Sequence, residues 1–160
     1  MPLSTSILGR LKNQHESVQE LLKGLSEDQL KQRVNPEKWS AFEQIAHLVA
    51  YQPTFLQRLQ LIAHKDTPVF ERYLAENDPL FHQCLGYSLK ELLEDLSTQR
   101  FLINNHITQL SETTLRREGV HPLYGRFTIS QWAEFFLLHE AHHLFAIFML
   151  TAALKNRVQQ

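Results

Sequence analysis

The chain has 160 residues, with 16 Lys and Arg against 17 Asp and Glu, so its formal net charge is -1. That length predicts one domain, residues 1–160, large enough to bury its own core. A near-neutral chain lacks the basic field that attracts nucleic acid or an anionic membrane surface, so we expect neither as a partner. Cys84 is the single cysteine and no signal-like segment opens the sequence, which predicts a cytoplasmic protein.

The predicted fold class is all-α. Only five glycines are present, and no run of alternating apolar and polar residues persists long enough to build a sheet. The first predicted helix covers residues 3–23, because apolar side chains recur there at the spacing of one helical face. These side chains are Leu3, Ile7, Leu11, Val18, Leu22 and Leu25.

Three further helices are predicted from capping boxes, in which a Ser or Thr is followed three residues later by Glu or Gln. The pairs are Ser40/Glu43, Ser88/Glu91 and Thr128/Gln131, and they predict helices over residues 40–64, 88–110 and 128–155. A shorter pair, Ser26/Gln29, predicts one extra turn. The connection over residues 65–87 is too long for a tight loop, so we expect a four-helix bundle with a long crossover connection.

The last predicted helix is apolar on nearly every side, but His139, Glu140, His142 and His143 interrupt its middle. A lone lipid-facing span would not accommodate these four side chains without a large energetic cost. A helix of this kind is typically central to its own bundle or pressed against a second copy of the chain. We expect both, and therefore a homodimer.

Nine histidines are unusual in a near-neutral chain of this length. His139 and His143 are four residues apart, so both rings can reach one ion from the same helical face. His142 points away from that face. Catalytic zinc-type sites usually have three protein ligands and an open fourth position, so a third ligand is needed.

The segment from His139 to His143 also spells H-E-x-x-H, the helix motif of zinc metalloproteases, in which the Glu is the general base. The metzincin extension is missing, because Ala146 and Met149 occupy the positions of its glycine and third histidine. No Asp, Glu or His follows His143 in the sequence. The third ligand must therefore come from upstream.

The leading upstream candidate is His47, near the start of the helix predicted for residues 40–64. It lies at the margin of that helix's apolar stripe, where a side chain can face a cleft between helices. The remaining candidates have no partner at ligand spacing: His15, His64, His82, His106 and His121.

Two segments resemble the DinB-like superfamily, which includes YfiT-like metal-dependent hydrolases and thiol S-transferases. The first is Lys38-Trp39-Ser40 followed by Glu43 and His47, and the second is Phe127-Thr128 followed by His139 and His143. The resemblance covers nearly the whole chain. It implies a four-helix bundle, commonly dimeric, that holds one divalent metal ion (zinc, nickel or iron) on residues matching His47, His139 and His143.

Three functions are compatible with such a site. In an enzyme, the open position would activate water for hydrolysis or hold the thiolate of a low-molecular-weight thiol for transfer to a small-molecule substrate. In a non-catalytic binding or stress-response module, His142 or Glu140 would close the site as a fourth ligand. A metalloprotease would use Glu140 as its base, but a helical bundle offers no edge strand to align a peptide.

No catalytic residue is assigned from the sequence. Trp39 is interpreted as a core anchor at a helix start, and Tyr51 either contacts substrate or packs. Cys84 lacks the basic neighbours that activate a nucleophilic thiol.

Overall fold

The computed structural model describes residues 3–158, and this part of the chain is predominantly helical. The helices, in chain order, are α1 (Thr5–Asn13), α2 (Ser17–Leu22), α3 (Glu27–Lys31), α4 (Ala41–His64), α5 (Pro79–Cys84), α6 (Leu89–Thr108), α7 (Glu112–Leu115) and α8 (Ile129–Val158). Short 3-10 turns occupy Gln14–Glu16 and Ala75–Asn77, and two strands are β1 (Glu118–His121) and β2 (Gly125–Thr128). The all-α prediction is confirmed.

Each of the three long helices begins where its capping box predicted. Ser40 caps α4 and Ser88 caps α6, with the reciprocal bond from the Glu side chain present in both. At the start of α8, the amide of Gln131 donates to the hydroxyl of Thr128 at 3.2 Å, and Gln131 Oε1 accepts from the amide of Thr128 at 2.9 Å. The box at Ser26 and Gln29 also forms, and it opens the short α3.

The prediction of one continuous helix over residues 3–23 was wrong. The chain tightens into the 3-10 turn at Gln14–Glu16 between α1 and α2. At this turn the side chain of Gln14 donates to the carbonyl oxygen of Leu137 at 2.9 Å and to Glu140 at 2.8 Å. These bonds to α8 depend on how the helices pack, which helical periodicity does not report.

The bundle has a long crossover connection, as predicted. Helix α4 packs against both α6 and α8, α1 packs against the same two helices, and α2 packs against α8. The first half of α4 shares a hydrophobic cluster with Leu92 and Leu96, whereas its second half shares another with Ile103 and Ile107. Because α4 and α6 therefore run parallel, the chain between them must return along the length of the bundle.

A short β-hairpin, which was not predicted from the sequence, precedes α8. Strands β1 and β2 pair antiparallel, with Glu118 opposite Thr128 and His121 opposite Gly125. Gly125 has a φ of 81°, a conformation that glycine adopts without steric cost. Strands of four residues are too short for alternation to be recognised in the sequence. The hairpin places His121 against the aromatic rings of Trp132 and Phe135.

Helix α8 buries one face in the bundle and leaves an apolar stripe exposed. The exposed stripe consists of Leu138, Phe145, Phe148 and Met149. The segment Ile129–Arg157 is long and apolar enough to cross a membrane by length and mean hydropathy (1.4) alone, and no second such helix occurs within residues 3–158. Its bundle face nevertheless carries His139, Glu140 and His143, whose polar groups contact other helices.

Candidate metal centre

The three predicted ligands come together between α4 and α8. The Nε2 atom of His139 lies 3.2 Å from Nε2 of His47 and 3.1 Å from Nε2 of His143. One ring nitrogen from each of the three residues lies within 4.8 Å of the other two. His47 is buried rather than marginal, because α8 covers the side of α4 on which it lies.

Two of the three nitrogen separations fit one tetrahedral ion. With metal–nitrogen bonds of about 2.0–2.1 Å, two ligands at a tetrahedral angle are separated by roughly 3.3 Å. The two Nε2 separations of 3.2 and 3.1 Å are close to that value. Three such ligands leave one tetrahedral position free for water or substrate.

All three rings are neutral at physiological pH. Burial, together with the charge that a neighbouring histidine would carry, lowers the pKa of His47, His139 and His143 to about 3 each. A neutral imidazole keeps a lone pair on one nitrogen, which is the form that binds metals.

A glutamine fixes the tautomer of His143. Its Nδ1 atom lies 2.6 Å from Oε1 of Gln44, and an amide oxygen can only accept, so the proton is on Nδ1 and Nε2 is free for a metal. The Nδ1 atoms of His47 and His139 are buried and have no hydrogen-bond partner within residues 3–158. Gln44 was not predicted from the sequence, although it precedes His47 by three residues and so shares its helical face.

Aromatic rings enclose the histidines. The Trp39 ring lies 5.2 Å from the His47 ring and 6.4 Å from the His143 ring, measured between centroids. Tyr51 lies 4.9 Å from His139, and Tyr73 lies 5.8 Å from His47. Trp39 therefore covers the histidines in addition to packing at a helix start.

A cavity of about 220 Å³ reaches the histidine cluster at His139. Its walls are formed by Tyr51, Arg58, Arg72, Tyr73, His121, Leu123, Tyr124, Phe135 and His139. Two of these residues carry guanidinium groups, and no lining residue is an Asp or Glu. The cavity is therefore a route from solvent to the candidate centre with a positively charged wall.

Glu140 and His142 do not complete the ligand set. Glu140 is buried, and its two carboxylate oxygens accept from Arg100 and Gln14 instead of facing the three histidines. His142 is exposed on the outside of α8. Within the described residues, the ligand cluster comprises only His47, His139 and His143. The H-E-x-x-H motif therefore does not place its glutamate at the candidate metal site, as the motif of a metalloprotease would.

The other chemically distinctive side chains lie apart from the cluster. His121 lines the cavity, but it does not join the three converging nitrogens. Burial raises the pKa of the Cys84 thiol to about 11, so this side chain is a neutral, buried thiol.

Comparison with known sequences identifies relatives over most of the chain. The family model described as the DinB superfamily matches residues 10–147. The uncharacterized protein YuaE of Bacillus subtilis (strain 168) is 28% identical over 141 residues, which cover 77% of this chain and 83% of YuaE.

Comparison with solved structures supports the same fold. YfiT from Bacillus subtilis, described as a probable metal-dependent hydrolase with an unusual four-helix bundle topology, superposes with a TM-score of 0.82 at 15% identity and covers 94% of this chain and 86% of its own. The four-helix bundle protein TT2238 superposes with a TM-score of 0.65 at 19% identity, covering 89% and 95% of the two chains. At these identities the likeness concerns the fold.

Proposed function

Because this chain belongs to the DinB superfamily, we propose that it is a metal-dependent enzyme that hydrolyses a small molecule. The observation that carries the proposal is the convergence of three neutral imidazoles, one of which, His139, lines a cavity, with no fourth ligand among residues 3–158. The description of YfiT as a probable metal-dependent hydrolase supports hydrolysis as the first reaction to test.

His47, His139 and His143 would hold the ion, and three imidazoles accept zinc, nickel or iron(II). When bound, such an ion acts as a Lewis acid and lowers the pKa of water. Gln44 keeps the proton of His143 on Nδ1, which directs the lone pair of Nε2 into the cluster. Trp39 and Tyr51 cover the rings and limit the access of bulk water.

The cavity favours a small substrate. Its volume of about 220 Å³ is below the range of about 300–1,000 Å³ found for pockets that hold drug-sized ligands. Transfer of a low-molecular-weight thiol to an electrophile would use the same open position and is the second reaction to test. A closed site would favour a non-catalytic module, and neither Glu140 nor His142 closes the site.

Metal analysis of the purified protein tests the ligand assignment. We expect close to one zinc, nickel or iron per chain in wild type and a large loss in both His47→Ala and His143→Ala. His142→Ala is the matched control, because it removes an exposed histidine from the same turn of α8. Unchanged metal content in the two ligand variants, with the control also unchanged, would reject the three-histidine centre.

Assays of the metal-loaded protein test the reaction. Small esters and amides report hydrolysis, and a thiol with an electrophile reports transfer. Turnover that disappears on metal removal and returns on metal addition supports an enzyme. Full metal occupancy without turnover of either substrate class would favour the binding module.

The expected cytoplasmic location and the absence of nucleic-acid and membrane partners stay predictions from composition. We also propose a homodimer, which would cover the exposed stripe of α8.

A further inference from the structure

One wall of the cavity contains a buried arginine that lacks an acidic partner. Arg58 is 7% exposed and forms no ion pair with any Asp or Glu of the described residues. The other buried arginine, Arg100, is paired with Glu140. Because charged side chains are rarely buried without an opposite charge, the isolation of Arg58 calls for an explanation.

The contacts of Arg58 satisfy only part of its guanidinium. Its Nη2 donates to the carbonyl oxygen of Glu71 at 2.9 Å, and its Nη1 donates to the hydroxyl of Tyr51 at a long 3.4 Å. The guanidinium also lies over the rings of Phe70 and Trp132, 5.3 and 5.6 Å from their centroids. These neutral groups hold the guanidinium in place, but none of them balances its charge. A guanidinium has five N–H donors, so some of them are left for a ligand.

Two other residues in the cavity wall, Arg72 and His121, also provide hydrogen-bond donors. Arg72 is exposed at the cavity and forms no ion pair with the acidic residues that the structure describes. Nδ1 of His121 accepts from the backbone amides of Leu123 and Tyr124 at 3.1 and 3.3 Å, so the proton of its neutral ring is on Nε2. The cavity therefore combines two guanidinium groups and an imidazole N–H, without a lining carboxylate.

Arg58 is also close to the candidate centre. Tyr51 contacts Arg58 through its hydroxyl, while its ring lies 4.9 Å from the ring of His139. One aromatic side chain thus separates the guanidinium from a predicted metal ligand. Both His139 and Arg58 line the cavity, so one small molecule there can contact both side chains.

We propose that the substrate carries a carboxylate, which Arg58 binds while the reacting group lies at the three histidines. The proposal rests on the function proposed above and adds the substrate class to it. A planar guanidinium matches a carboxylate with two parallel hydrogen bonds, and burial strengthens that contact. Arg58 is thus a substrate-binding residue in the cavity wall, separated from His139 by Tyr51.

Two hydroxamates of equal length provide a direct test on the metal-loaded protein. Succinic monohydroxamate has a terminal carboxylate where butyrohydroxamate has a methyl group, and both present the same metal-binding end. Isothermal titration calorimetry of wild type should show that the carboxylate compound binds about tenfold to hundredfold more tightly, the range expected for hydrogen bonds to charged groups. In Arg58→Gln this preference should disappear, whereas the exposed Arg116→Gln should keep it.

Thermal melts separate ligand binding from a structural role. Because Arg58 has no acidic partner, Arg58→Gln should melt within a few degrees of wild type. Arg58→Lys retains a charge in the cavity and should recover part of the preference. Equal affinity of wild type for the two hydroxamates, or an unchanged preference in folded Arg58→Gln, would overturn the proposal.

A metal-independent measurement distinguishes this proposal from the proposed function. Succinate binding to the His143→Ala variant, followed by the chemical shift of ¹³C-labelled succinate, should persist and be lost in His143→Ala with Arg58→Gln. If wild type contains no metal but succinate binding follows Arg58, the hydrolase proposal fails and the anion site stands. If metal is present and the Arg58→Gln substitution does not change succinate binding, the proposed substrate class is wrong.

Discussion

The Nε2 atoms of His47 and His139 are 3.2 Å apart, although the two residues are 92 positions apart in the sequence. Two neutral imidazoles at this distance place their nitrogens as ligands of one ion would be placed. The second pair, His139 and His143, is joined by a single helical turn, so its proximity needs no tertiary contact. The candidate centre therefore depends on the packing of α4 against α8.

Gln44 should influence metal affinity without being a ligand. Gln44→Leu removes the acceptor that holds the proton of His143 on Nδ1, and loss of such an orienting partner typically weakens metal binding about 10–100-fold. Competition with a chelator of known affinity measures the change. Gln60→Leu is the matched control, since Gln60 is exposed on the same helix. Equal affinity of the two variants would show that Gln44 does not orient His143.

Glu140 should matter for folding. Glu140→Gln leaves Arg100 buried without a counter-charge, so we expect the free energy of unfolding to fall by about 3–5 kcal/mol. Glu134→Gln disrupts the partly exposed pair with Arg10 and should cost about 0–1 kcal/mol. Urea denaturation measures both changes. A stable Glu140→Gln variant that retains metal but loses peptide cleavage would instead support the metalloprotease.

His15 should contribute to a loss of stability in mild acid, in addition to the three clustered histidines, whose pKa values burial also lowers. Burial, with a smaller contribution from the charge of Arg100, lowers the pKa of His15 from 6.5 to about 4. Between these pH values the unfolded chain binds more protons than the folded one, so the free energy of unfolding falls as the pH drops from 6.5 toward 4. The limiting slope for this one group is about 1.4 kcal/mol per pH unit.

The variant His15→Leu tests that assignment. The Nδ1 atom of His15 has no hydrogen-bond partner within residues 3–158, so leucine loses no bond from this atom. The difference in unfolding free energy between wild type and His15→Leu should change with pH between 4 and 6.5 and level off above that range. The exposed His64→Asn should keep the wild-type slope. A parallel pH dependence of wild type and His15→Leu would exclude His15 as the source.

The exposed stripe of α8 should mediate dimerisation. Sedimentation equilibrium at micromolar concentration should give twice the mass of one chain, and Phe145→Asp should give a monomer. Phe101→Asp is the matched control, because Phe101 is equally exposed on α6, away from the stripe, at 63% against 64% for Phe145. Monomeric wild type, or dissociation by both variants alike, would contradict an interface on α8.

Local sequence signals correctly predicted where the three long helices of this protein begin. The capping boxes at Ser40, Ser88 and Thr128 form because donor and acceptor are three residues apart on the same turn, independent of the rest of the fold. Two features escaped prediction for lack of such a signal. The break at Gln14–Glu16 is tied to bonds with α8, and the hairpin strands are too short to show alternation.

The sequence by itself determined where the three long helices begin, through their capping boxes, and the pairing of His139 with His143, which follows from the 3.6-residue period of one helix. His47 was placed beside them partly by elimination, because no Asp, Glu or His follows His143, and partly by family resemblance. Only the tertiary structure decided that Glu140 faces Arg100 while His139 and His143 face α4, and that Arg58 is buried without a counter-charge. The physical reason is that the ion-pair partner of a buried side chain depends on which faces of two helices pack together. Local sequence patterns do not show which residues from distant parts of the chain come into contact.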